Sequence, residues 1–167
     1  DTTGSDAGSV YLFRRNSDST DDVTQIAKFQ ADDAASGTYF GNSVAMVGDY
    51  VVVGAEQANS SGSAYLFKRN SDTTDDVTQL AKIQPSDGEA TDYFGSSVAV
   101  SGNYIIVGAY AEDTNGSMAG SAYLFKRNSD ATDDVTQLAK IQPNDVEAGD
   151  YFGYSVAISG DYVVVGA

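Results

Sequence analysis

Three short marks recur in one order along the chain, and their spacing constrains the fold more than any local pattern. Phe-Gly falls at 40–41, 94–95 and 152–153. Val-Gly-Ala falls at 53–55, 107–109 and 165–167, and Gly-Ser-x-Tyr-Leu-Phe at 8–13, 62–67 and 120–125. Each mark steps by 54 and then by 58 residues. A period of this size means units that cannot bury their apolar faces alone and must stack or fan around an axis. The stretch from Asp92 to Asp130 carries one complete set of marks.

Within the period, four short apolar segments alternate with turn residues. Segment A follows Phe-Gly. B runs through Val-Gly-Ala. C is Tyr-Leu-Phe, and D is the Thr-Gln-Leu-Ala-Lys-Ile type. The A–B connection is Gly48-Asp49, Gly102-Asn103 or Gly160-Asp161, the chemistry of a two-residue hairpin with a type I′ or II′ turn. Pro85 and Pro143 follow segment D and end it, because proline cannot donate to a strand ladder. Ser9 to Phe13 reads as a buried-type strand, Val23 to Gln30 as an edge strand with Lys28 shielding it, and Asp1 to Ala7 as a polar, flexible lead. No segment has a helical period. Four antiparallel strands per repeat describe a propeller blade. The fold class is therefore all-β: a half blade at about 8–31, full blades at about 40–85 and 94–143, and a half blade at about 152–167, or three blade equivalents.

These residues resemble the FG-GAP repeat, the blade unit of integrin α-subunit propellers and of many secreted bacterial and algal proteins. Asp150 to Tyr162 (DYFGYSVAISGDY) is closest to the non-integrin branch. The resemblance implies a propeller with strand A innermost, an extracellular or cell-surface location, and a non-catalytic role in adhesion. Phe40, Gly41, Gly54, Ala55, Phe94, Gly95, Gly108, Ala109, Phe152, Gly153, Gly166 and Ala167 are then the structural motif, packing blade against blade. Two departures matter. The A–B connection has no room for the family's Asp-rich calcium loop, and Glu56 and Tyr110 replace the proline of Gly-Ala-Pro.

Composition narrows the functional classes. A net charge of −15 against nine basic residues disfavours nucleic acid and anionic membranes as partners. There is no cysteine, so disulfides and thiolate metal sites are excluded, and no histidine, so a Ser-His-Asp triad is excluded as well. No apolar run approaches the roughly 18–20 residues of a membrane helix. Carboxylates suited to a glycosidase exist, but none is placed around a cleft by the repeats, so no enzyme is expected.

Candidate binding residues lie in turns. The C–D turns hold Asp72, Asp75 and Asp76, and again Asp130, Asp133 and Asp134; clustered carboxylates with Asn and Ser oxygens suit a hard cation such as Ca²⁺. The same clusters also suit hairpins capped by their own side chains. The B–C and D–A loops share one face of a propeller and vary most between repeats. Tyr110, Glu112, Asp113 and Asn115 lie in the first kind, and Asp87, Glu89 and Asp92 in the second, which makes this the expected ligand face. Asn59 and Asn115 begin N-x-S sequons that a eukaryotic secretory pathway would glycosylate.

Closed propellers have roughly four to eight blades. Three blade equivalents therefore call for a longer parent chain or for association of copies, with the Val-Gly-Ala strand of one pairing with the Ser-Val-Tyr-Leu-Phe strand of the next. The functional expectation is an extracellular scaffold for a protein or glycan partner. The alternatives are a subunit of an extracellular filament or surface assembly, and a sugar-binding propeller.

Overall fold

The computed structural model describes residues 5–20, 22–71 and 74–167. Twelve strands and no helix are found among them. The first hairpin pairs β1 (Val10–Arg15) with β2 (Val23–Phe29). A four-stranded meander follows: β3 (Val44–Val47), β4 (Tyr50–Ala55), β5 (Ser63–Arg69) and β6 (Val77–Ile83). A second comprises β7 (Ser97–Ser101), β8 (Tyr104–Ala109), β9 (Ser121–Arg127) and β10 (Val135–Ile141). The last hairpin pairs β11 (Ser155–Ser159) with β12 (Tyr162–Gly166). β7 lies against both β3 and β11, which places the first strand of each unit innermost. The sheets do not close into a ring, so the described residues form part of a propeller.

The A–B hairpins form because glycine accepts a positive φ at the first turn position. Gly48, Gly102 and Gly160 have φ of 56°, 56° and 54°, and the residue after each is not left-handed. That is the type II′ pattern.

Period-2 alternation sends one side of each strand to each neighbouring sheet. Val51, Val53, Tyr65 and Phe67 join Phe40 and Val10 in a core against the first hairpin. Val52, Leu66 and Ile83 face the other way and join Phe94, Ile105, Val107, Tyr123 and Phe125 between the two four-stranded sheets. Each large side chain so buried contributes about 1.5–3 kcal/mol. Phe40 meets Tyr65 and Phe67 edge-on at 5.6 and 5.8 Å, and Phe94 meets Tyr123 and Phe125 at 5.5 and 5.9 Å.

The repeated marks are the seams between sheets. Gly8, Gly62 and Gly120 each make a parallel bridge to Phe40, Phe94 and Phe152 of the next unit. A Cβ on Gly62 would overlap the Phe94 carbonyl oxygen, and one on Gly108 would overlap that of Gly153. Ser43 and Ser97 donate their hydroxyls to the carbonyls of Gly95 and Gly153 at 2.8 Å, stitching strand A to the following unit.

A second seam lies at the outer edge. Strand D carries one extra residue in each copy: Ile26 in β2, Leu80 in β6 and Leu138 in β10 fall at register shifts. A bulge leaves a backbone group unpaired in its own sheet. The next unit caps it, with Asp75 N–H donating to Ile26 O and Asp133 N–H to Leu80 O, both at 2.8 Å.

Two sequence expectations need correction. Ser9 to Phe13 is not a buried strand: Tyr11 is 48% and Phe13 55% exposed, because no Val and Phe face them as Val107 and Phe94 face Tyr123 and Phe125. Nor is the described part of the lead loose. Ser5 O and Asp6 O accept hydrogen bonds from Gly37 and Tyr39, and Ala7 is fully buried.

Phe94 is fully buried, whereas Phe152 is half-buried with no aromatic partner among the described residues. Phe94→Ala is expected to cost about 3–5 kcal/mol and Phe152→Ala clearly less. Urea unfolding of the two variants checks the order.

Candidate functional site

The B–C and D–A loops meet at one end of the sheets and bond to each other. Thr91 and Phe94 donate backbone N–H groups to Ser60 and Ser61, Ala111 to Asp92, and Gly149 and Tyr151 to Ser117 and Met118. The structure thus brings Tyr110, Glu112, Asp113, Asn115, Asp87, Glu89 and Asp92 to one face.

They do not act alike there. Glu112 is only 3% exposed. Its carboxylate accepts from Ser121 Oγ at 2.7 Å, Lys140 Nζ at 2.9 Å, Thr114 N at 3.0 Å and Gln142 Nε2 at 3.1 Å, with the Thr114 hydroxyl also bonded. Lys140 continues to Asp87 at 2.8 Å. Burial pushes the Glu112 carboxyl up, but the bonds from Thr114, Lys140 and Ser121 outweigh it and hold it below the ordinary range. Asp92 is 2% exposed and accepts the Glu89 N–H at 2.7 Å; burial pushes its carboxyl up. Glu112 and Asp92 therefore shape the loops rather than meet a ligand. Asp113, Glu89 and Asn115 are exposed, Asn115 with its amide on Gln142 at 2.7 Å. The other sequon residue, Asn59, is exposed with φ of 53°.

Beside them stands a tyrosine cluster that sequence reasoning reached only at Tyr110. Tyr93 stacks on Tyr110 with centroids 5.3 Å apart and planes 7° from parallel. Tyr154 and Tyr151 close on Tyr110 at 5.7 and 6.2 Å. Burial, then the charge of Glu56, raises the Tyr110 phenol; burial also raises the half-buried Glu56 carboxyl. The missed signal was the tyrosine before each Phe-Gly. Tyr39, Tyr93 and Tyr151 have φ of 56°, 55° and 57°, an outlying conformation for a bulky residue. Each carbonyl closes a tight turn by accepting the N–H three residues on. That turn drives Phe inward and leaves Tyr on the rim.

The C–D turns do not gather their carboxylates around a common point. Asp76 accepts from Asn70 and Ser71, and Asp134 from Asn128 and Ser129. Asp75 accepts the Lys28 N–H of the preceding unit, and Asp75 and Asp133 each cap the bulge of the unit before their own. Asp130 crosses the seam: it accepts from Tyr50 Oη and Lys68 Nζ at 2.6 Å and from Arg127 Nη1 at 2.7 Å, while Arg127 lies 3.7 Å over the Tyr50 ring. Lys68 first, then Tyr50, holds its carboxyl below the ordinary range. Asp72 lies outside the described residues. Among the described residues no three carboxylates group as a metal site. Asp75, Asp76, Asp130 and Asp134 thus engage carboxylate oxygens in hydrogen bonds of the hairpin and the seam, while Asp133 contributes its backbone N–H.

Residues 23–67, 77–125 and 135–167 match the FG-GAP repeat family, and the chain belongs to it. The matched unit begins at strand D and ends at strand C in its first two copies, one strand out of step with the sheets. No curated protein matches the chain. No described helix is long and apolar enough to cross a membrane.

Two outcomes test the site. A carboxyl held low in the folded state contributes stability that is present above its ordinary value of 4.5 and is lost as pH falls through the folded value. Glu112→Gln is thus expected to lower the urea midpoint at neutral pH, with the gap to the parent chain closing in acid. Calcium and chelator are both expected to leave the thermal midpoint of the parent chain unchanged, as read by circular dichroism.

Proposed function

We propose that this chain is a non-catalytic, extracellular scaffold that presents its B–C and D–A loop face to a protein or glycan. The observation that carries the reading is the tyrosine cluster around Tyr110, lying among exposed carboxylates on the one face where the repeats differ. Tyrosine supplies a rigid apolar body with a polar tip and, with Trp and Arg, is enriched among the anchors of protein interfaces. The Glu112–Lys140–Asp87 network, anchored on the buried Glu112 carboxylate, braces the loops beneath it. Sugar binding is the narrower form of the reading, with Tyr110 and its neighbours as the stacking surface.

Screening against a glycan array and a panel of basic proteins tests it. Tyr110→Ala is expected to weaken capture about tenfold or more, as loss of an interface anchor does. Tyr162→Ala, which removes an 80% exposed ring near the A–B turn, leaves capture unchanged. Equal loss in both variants would defeat the reading.

A specific observation favours assembly as the second reading. Tyr104 and Lys126 repeat the pair made by Tyr50 and Lys68, and Arg15 with Asp18 repeats Arg127 with Asp130. By that repetition, Tyr104 and Lys126 would take an Arg and an Asp from a further C–D hairpin, in adjoining sequence or in a second copy. Light scattering with calcium and with chelator separates these: a mass of two or more copies supports assembly, and a monomer directs the search to adjoining sequence.

A further inference from the structure

We propose that Tyr93 and Tyr110 are a site of oxidative cross-linking, at which hydrogen peroxide with a haem peroxidase joins the two rings ortho carbon to ortho carbon. The chain has 11 tyrosines and two methionines but no cysteine, tryptophan or histidine, so one-electron oxidation falls chiefly on tyrosine. Four tyrosines outside the cluster are engaged otherwise. Tyr65 and Tyr123 pack edge-on against phenylalanine, and Tyr11, Tyr50, Tyr65 and Tyr123 lie under lysine or arginine. Only in this cluster does tyrosine meet tyrosine among the described ring contacts.

The geometry selects one pair. The unpaired spin of a phenoxyl radical lies in orbitals normal to the ring, so a carbon–carbon bond forms between rings that face each other. Tyr93 and Tyr110 do so, 7° from parallel, whereas Tyr151 and Tyr154 are tilted by 45° and 57°. The backbone keeps the pair in place: Ala111 donates its N–H to Asp92 O at 3.3 Å, immediately beside the two rings in sequence. Tyr154, at 67% the most exposed ring of the cluster, gives the oxidant access to it and lies within electron-transfer range of Tyr110.

The step balances. Each phenol gives up one electron and its hydroxyl proton. The two radicals join through ortho carbons, and the two ring hydrogens move to the oxygens to restore both aromatic rings. Peroxide takes the two electrons and two protons and leaves as two water molecules. The product ties the D–A loop to the start of the B–C loop with a covalent bond and loses two hydrogen atoms. It uses no ligand of the loop face, so failure of the binding reading leaves it standing.

Dilute full-length chain treated with peroxide and horseradish-type peroxidase, then digested and mapped by mass spectrometry, tests the site. The expected product is a monomer lighter by two hydrogen atoms, with the peptides of Tyr93 and Tyr110 joined and dityrosine fluorescence present. Tyr93→Phe and Tyr110→Phe keep the ring and are each expected to lose that product. The proposal falls if Tyr93 and Tyr110 are recovered unmodified while links form between chains through Tyr162 or other exposed rings. It falls equally if Tyr110→Phe yields the same intramolecular fluorescence as the parent.

Discussion

Everything in this fold depends on how closely the backbone of one unit approaches the next. At Gly62 and Gly120 the chain passes so near the Phe94 and Phe152 carbonyls that a side chain would displace them. That approach makes the parallel bridges, and the bridges set the lateral position of every following sheet. The phenylalanine rings then fold back on their own sheets and fill the gap that the close approach opens. Glycine and phenylalanine are thus two halves of one device, and neither position tolerates the other's chemistry.

The outer edge solves a different problem by a related means. Extra residues in strand D bend each sheet and strand a carbonyl; an aspartate in the next C–D turn, at φ of 59° or 57°, turns its N–H toward it. Carboxylates that look like a cation site in sequence are the residues best able to adopt that left-handed turn and to cap it. Their near-identity between copies follows from the seam they serve. The seam through Asp130 adds an ion pair and a stacked guanidinium, modest at an exposed edge yet specific in pairing one unit with the next.

The fold was legible because its constraints are periodic. Phe-Gly, Gly-Asp or Gly-Asn, and Tyr-Leu-Phe each demand one backbone solution, and three copies made the demand visible. The loop face was legible as a place but not as chemistry. Glu112 and Asp92 read as presented carboxylates, yet burial and three-dimensional partners such as Lys140, 28 residues further on, turn Glu112 into a brace. Tyr93, Tyr151 and Tyr154 were hidden for the converse reason. Tyr93 and Tyr151 sit inside the repeated motif, and repetition reads as packing until the fold shows which way each ring points; Tyr154 stands where the other copies have Asn42 and Ser96, and only the fold brings it to Tyr110.

Rigid seams and divergent loops are linked by more than convenience. A strained tyrosine turn before each Phe-Gly persists only where surrounding contacts over-determine it. The buried phenylalanine on one side and the inter-loop hydrogen bonds on the other supply that determination. The same contacts that hold the sheets together therefore hold Tyr93 and Tyr151 against Tyr110, at the end of the molecule where sequence is free to vary. A surface built this way is ordered in advance, because the entropy of aligning its rings was lost when the sheets packed.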